Sequence, residues 1–231
     1  MQSKDRSNIE AGQDIGERTS WEVMQILEES DKPVEIAGSK IDKPAELFHE
    51  LKRTIDGVKE SLGVELDENN IFFKKLEGNT VGKSSGRGIE IDSCMLLHPT
   101  CRLAHVIAHE SLHGRTPNEG MIEAYLTSKK YKQEGGLVLT DKYIKAEEFF
   151  ADFINKIRGD LSFDQAIDKV FKFYYSGKFE DIYKMYYKNY LSDPKAPKSK
   201  DKDDLFKQVF PELILNSVGQ NVVEPYFPGE N

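Results

Sequence analysis

Cysteine is almost missing from this chain: Cys94 and Cys101 are the only two among 231 residues. Two thiols make neither a disulfide framework nor a four-cysteine zinc site. Long apolar runs are missing as well, so no segment is expected to cross a bilayer and no membrane insertion is predicted. An excess of positive charge is absent too. Lys and Arg number 32 against 40 Asp and Glu, a net charge of -8, which gives binding to nucleic acid no electrostatic support. The stretch Met1 to Ser20 is polar and lacks the apolar core of a signal peptide, so a cytoplasmic location is expected. What remains is a globular composition, long enough for one sizeable domain or two small lobes.

Read along the chain, residues 1–20 form an expected flexible tail. Trp21, Met24 and Leu27 then recur at helical spacing. A stronger helix is predicted from about Lys43 to Leu62, with Pro44 near its start and Leu47, Leu51, Ile55, Val58 and Leu62 along one stripe. Ile71-Phe72-Phe73 and Ile89-Glu90-Ile91 have the look of short strands, set among glycines that suggest turns. From Leu103 the period is helical again, through 118–130, 142–158, 163–175 and 179–191. The charged stretch 192–204 reads as a linker or loop, and 205–231 as a last helix, Leu205 to Leu215, followed by an irregular tail. The expectation is an α+β protein. One domain, 21–191, holds a small sheet with a helix beside it to about residue 114, and a largely helical lobe over 115–191.

One cluster carries chemistry: His109-Glu110-Ser111-Leu112-His113. Residues four apart on an α-helix lie on one face, so His109 and His113 are placed to hold a single ion. Glu110 projects beside that face, where it can take a proton from water at the metal. Val106-Ile107-Ala108 and Leu112 supply the buried side of the helix, and Gly114 ends it. A hydrolytic zinc (Zn2+) site needs a third protein ligand. Glu119 and Glu123, four apart on the next helix, are the near candidates, and Glu147 is a distant one. Glu119 also has a structural explanation, because Thr116-Pro117-Asn118-Glu119 fits a capping box with Thr116 as N-cap. Whichever of Glu119 and Glu123 is not a ligand is expected to orient a histidine.

The segment His105–Thr127, HVIAHESLHGRTPNEGMIEAYLT, resembles the zincin metallopeptidases, in particular the glutamate-liganded branch, the gluzincins. There a second helix bears Asn-Glu, whose glutamate is the third zinc ligand, and an acid four residues later often supports a histidine. The resemblance thus implies a zincin-like fold, with Asn118-Glu119 supplying the ligand and Glu123 the support. It implies hydrolysis of a peptide or protein substrate by zinc-held water, with Glu110 as general base. The run from Asn118 to Thr127 is similar to bacterial gluzincin-like proteins of unassigned substrate, and Phe173–Phe179 is similar to their helical half. The chain departs from the best-known gluzincins in the five residues between His113 and Glu119, where they carry a much longer insertion. That spacing resembles the metzincin branch, although Thr116 stands where metzincins have glycine.

Other residues have plainer readings. His105 adds a rung to the histidine ladder but is rotated about 80° from His113, poor for three-point chelation, and reads as a buried polar group. His49 and His98 read as surface or hydrogen-bonded histidines. Gly88–Asp92 could be the edge strand that pairs with substrate backbone, or an ordinary core strand. Gly78–Ser84 falls one residue short of a phosphate loop. Cys94 could reach zinc as a thiolate, against its reading as a small buried hydrophobe. Tyr143 is chosen as an oxyanion donor, while the aromatics from Phe171 to Tyr187 read as helix–helix core. The alternative function is a zinc-stabilised, non-catalytic binding module derived from a peptidase.

Overall fold

The computed structural model describes residues 16–97, 100–129, 141–192, 204–210, 213–215 and 221–223. Two compact units divide the chain, the first ending at Ser111 and the second starting at Leu112, so the division falls within one helix.

In the first unit, α1 (Ser20–Glu29) opens on a capping box. The Thr19 hydroxyl accepts the Glu22 amide at 3.2 Å, and the Glu22 carboxylate accepts the Thr19 amide at 2.9 Å. Arg18–Thr19 forms β1, antiparallel to Phe72–Phe73. The expected tail is therefore ordered structure by Arg18, and the Thr-x-x-Glu pattern at 19–22 is its sign in the sequence; residues 1–15 lie outside the described ones. Trp21, read as part of the apolar stripe, is 47% exposed, and Val23 and Ile26 join Met24 and Leu27 in the core instead. The long helix α2 (Pro44–Leu62) begins on Pro44 and stops at Gly63, whose φ of 58° admits the left-handed turn. It packs on α1 and buries Leu51, Ile55, Val58 and Leu62, whereas Leu47 of the expected stripe is half-buried and His49 is exposed.

Between these helices lies an unforeseen hairpin, β2 (Val34–Ile36) and β3 (Ser39–Ile41). Its two turn residues, Ala37 and Gly38, both have positive φ, 46° and 79°, the backbone twist that two-residue hairpins favour. The alternation Val-Glu-Ile-Ala-Gly-Ser-Lys-Ile carries that message in hindsight.

The main sheet runs β1-β4-β6-β5, with β4 (Ile71–Lys74) parallel to β6 (Gly88–Asp92) and β5 (Gly82–Ser85) antiparallel to it. Residues 88–92 are thus an interior strand, not the edge facing a substrate. The edges are β1 and β5, the latter a polar segment that pairing with β6 makes into a strand. The tempting loop at Gly78–Ser84 ends in this strand. Glu90, buried in β6, lies 2.6 Å from Lys74, 3.1 Å from Lys83 and 3.3 Å from Arg87. Those cations, Lys74 foremost, overcome the cost of burial and hold its carboxyl down at about 2, so it is ionised at neutral pH. After a 3-10 turn (Ser93–Leu97) comes α3 (Thr100–His113).

The second unit is helical: α4 (Glu119–Ser128), α5 (Asp141–Ile157), α6 (Phe163–Tyr175), α7 (Phe179–Tyr186) and α8 (Asp204–Val209). A wider π-type turn, Tyr187–Leu191, prolongs α7. The last helix is shorter than expected because Pro211 offers no amide to continue it. Leu213–Leu215 pairs instead with Asn221–Val223 as the ribbon β7–β8. Between Ser192 and Asp204 the charged stretch lies outside the described residues, as do residues 224–231. Phe150, Phe153, Tyr174, Tyr186, Phe206 and Phe210 form the buried core of this unit. Of the aromatic run read as core, Tyr175 and Tyr187 are exposed.

Helix α4 packs on α5 and α6. A Cβ at Gly120 would stand 2.3 Å from the Ala146 carbonyl oxygen, so glycine alone allows α4 this close to α5. Gly120→Ala is expected to lose about 1–3 kcal/mol by overpacking. In a thermal melt that is a fall of roughly 3–10 °C; an unchanged melting temperature would show that α4 has room to move. Among the described residues no helix is long and apolar enough to cross a membrane. The fold is mixed α and β, with a small, mostly antiparallel sheet.

Candidate metal centre

The residues that matter belong to one continuous stretch, 105–123, comprising the end of α3, a turn and the start of α4. Val106, Ile107, Ala108 and Leu112 are buried, which fixes the roll of α3 about its axis. That roll brings His105, His109 and His113 into a ladder. The rings of His105 and His109 are nearly parallel, 18° apart, with centroids at 6.3 Å.

The turn is built from caps. The Leu112 carbonyl accepts the amides of Arg115 and Thr116 at 2.8 and 3.0 Å and closes α3. The Thr116 hydroxyl then accepts the Asn118 amide at 3.0 Å. Asn118, not Thr116, is the N-cap of α4, its Oδ1 accepting the Met121 amide at 3.0 Å. This corrects the expected capping box. With the helix starting two residues later, Glu119 is its first residue rather than its third. A carboxylate there is also favoured by the helix dipole.

Glu119 Oε1 lies 3.5 Å from His113 Nε2. Two ligand atoms about 2.1 Å from one tetrahedral ion are about 3.4 Å apart. That pair therefore has the spacing of chelating groups. Ligand atoms of His109, His113 and Glu119 all lie within 4.8 Å of one another. Such a set could hold one metal ion.

A second set with the same property is His105, His109 and Glu123. His109 belongs to both. The two acids are thus not interchangeable: Glu119 joins His113, whereas Glu123 joins His105 and His109. They also differ in exposure, with Glu123 at 0% and the Glu119 side chain at 33%. The third acid considered, Glu147, accepts the Thr127 hydroxyl at 2.7 Å. Thr127 is eight residues along α4 from Glu119, about 12 Å of helix, and Glu147 is in neither set.

Glu110 is buried beside His109. A Cβ at Gly82 would lie 3.1 Å from Glu110 Cγ, 3.2 Å from its Oε1 and 2.5 Å from Val106 Cγ1. A side chain on the first residue of edge strand β5 would thus collide with Val106 and press on the Glu110 side chain. Sequence reasoning marked Gly82 only as a turn glycine. Its role becomes visible only once β5 is known to be a strand.

The remaining candidates belong to other elements. Tyr143 sits in the first turn of α5, half-buried. Cys94, in the 3-10 turn, has its thiol pushed up to about 11 by burial and by neighbouring Asp92. It belongs to neither of the two sets found among the described residues. His98 lies outside the described residues. No protein-family model, curated protein or solved structure matches the chain.

Proposed function

We propose that the chain is a zinc-dependent hydrolase of peptide bonds, of the zincin metallopeptidase type. The observation that carries this reading is the convergence of His109, His113 and Glu119 next to Glu110. Two imidazoles and a carboxylate are a donor set that suits zinc and leaves one position for water or substrate. His113 and Glu119 are part-exposed, so that side of the set is open to solvent. When bound, zinc supplies Lewis acidity, polarising a carbonyl and acidifying water. The rest falls to the chain's own residues. Glu110 takes a proton on its carboxylate and returns it to the leaving amine. Glu123 fixes the ring of His109, and Tyr143 is offered as donor to the developing oxyanion. The substrate is a peptide or protein.

The second reading, a zinc-stabilised module without catalysis, draws on the other set. His105, His109 and Glu123 are all buried, as the ligands of a closed structural zinc site are. Glu110 speaks for the first reading, since a structural site needs no base beside it. The test is direct. The purified protein is expected to hold one zinc per chain and to cleave members of a proteome-derived peptide library until a chelator is added. A protein that binds zinc no better than micromolar, or cleaves nothing when loaded, would overturn the proposal.

A further inference from the structure

The end of α8 meets the start of α4 through one side chain. Asn118 Oδ1 accepts the Met121 amide at 3.0 Å, and Asn118 Nδ2 donates to the Val209 carbonyl at 2.7 Å. Both partners are backbone groups that a helix leaves over: a first-turn N–H of α4 and a last-turn C=O of α8. The Val209 carbonyl is itself held in place. Its neighbours Phe206 and Phe210 are fully buried, with ring centroids 5.2 Å from each other. Phe206 lies 6.3 Å and Phe210 5.5 Å from Phe153, and Phe210 packs on Phe150 at 6.0 Å. Phe210 continues α8 by donating its amide to Phe206 at 2.9 Å. Residues 204–210 thus reach back 91 positions to hold the residue immediately before Glu119.

We infer that Asn118 is a positioning residue for the metal centre, and that α8 is the anchor which sets where Glu119 stands. This rests on the reading of Glu119 as a zinc ligand. A cap alone fixes the start of a helix but leaves its first residue free to fray. The bond to Val209 ties the cap that immediately precedes that residue to the aromatic core of its unit. The two bonds make different demands, so they can be separated. Serine caps a helix as well as asparagine but is too short to bond Met121 and Val209 at once. Asn118→Asp keeps the capping oxygen and turns an oxygen, not a donor, towards Val209.

The test is zinc affinity, measured by chelator competition on the full chain, beside the melting temperature of the zinc-free protein. Asn118→Ser and Asn118→Asp are expected to weaken zinc binding by about 10–100-fold, as loss of an outer partner of a metal ligand does. Ser162→Ala serves as control: it removes the cap of α6, where Ser162 accepts the Gln165 amide, and should lower the melting temperature with zinc affinity unchanged. Zinc affinity within twofold of wild type in both Asn118 variants would overturn the inference while leaving the site intact. So would a Ser162→Ala variant that loses affinity equally, since general loosening would then explain everything. A wild-type protein that takes up no zinc would overturn the ligand reading and the inference together.

Discussion

Glu110→Gln is expected to keep its zinc and to lose about 10²–10⁴ in kcat for peptide cleavage, the range for removing a positioned general base. Glutamine has the shape of glutamate, so the space left by Gly82 is filled as before and α3 keeps its packing. Only the ability to take and return a proton disappears. KM should therefore change far less than kcat, because substrate is still bound. Zinc content, measured on the same preparations, guards against a trivial explanation. Activity above a tenth of wild type would remove Glu110 from the role of base. Equal cleavage by both proteins would point to a contaminating protease instead.

How much of this was legible in advance depends on which physical signal each element carries. The ladder at 105, 109 and 113 follows from the helical repeat, and buried neighbours such as Ile107 and Leu112 make its phase unambiguous. Helix α2 was readable for the same reason, with Pro44 marking its start. The start of α4 was not. Thr116 and Asn118 are both good caps, two residues apart, and a local pattern cannot rank them. Asn118 wins because its side chain has a second partner, the Val209 carbonyl, from far along the chain. Strand β5 was hidden differently. Gly-Lys-Ser-Ser has little strand propensity, and its ladder to β6 forms the strand. Leu213–Leu215 is apolar enough for helix or strand, and Pro211 decides against continuing α8. The consequence is specific: the histidines could be found from periodicity, but where the acid after Asn118 stands depends on long-range contacts.

That acid is the subject of the second large effect. Glu119→Gln is expected to weaken zinc binding well beyond the ~10–100-fold typical of an outer partner. Its carboxylate is the one anionic donor of the set with His109 and His113. Glu123→Gln is expected to fall within that ~10–100-fold range, because it would only orient His109. Glu123 is fully buried, so its variant should also melt lower, whereas Glu119→Gln should melt close to wild type when zinc-free. His105 supplies the cross-check, since it belongs to the set of Glu123 and not to that of Glu119. His105→Gln should keep stoichiometric zinc. If the ion instead occupies the closed set, the order reverses: Glu123→Gln and His105→Gln empty the protein of zinc, and Glu119→Gln does nothing. The same three affinities thus separate an open centre with Glu110 at its side from a buried structural one. In the closed case the zinc would have no free position facing solvent, and the proposed hydrolysis would fall with it.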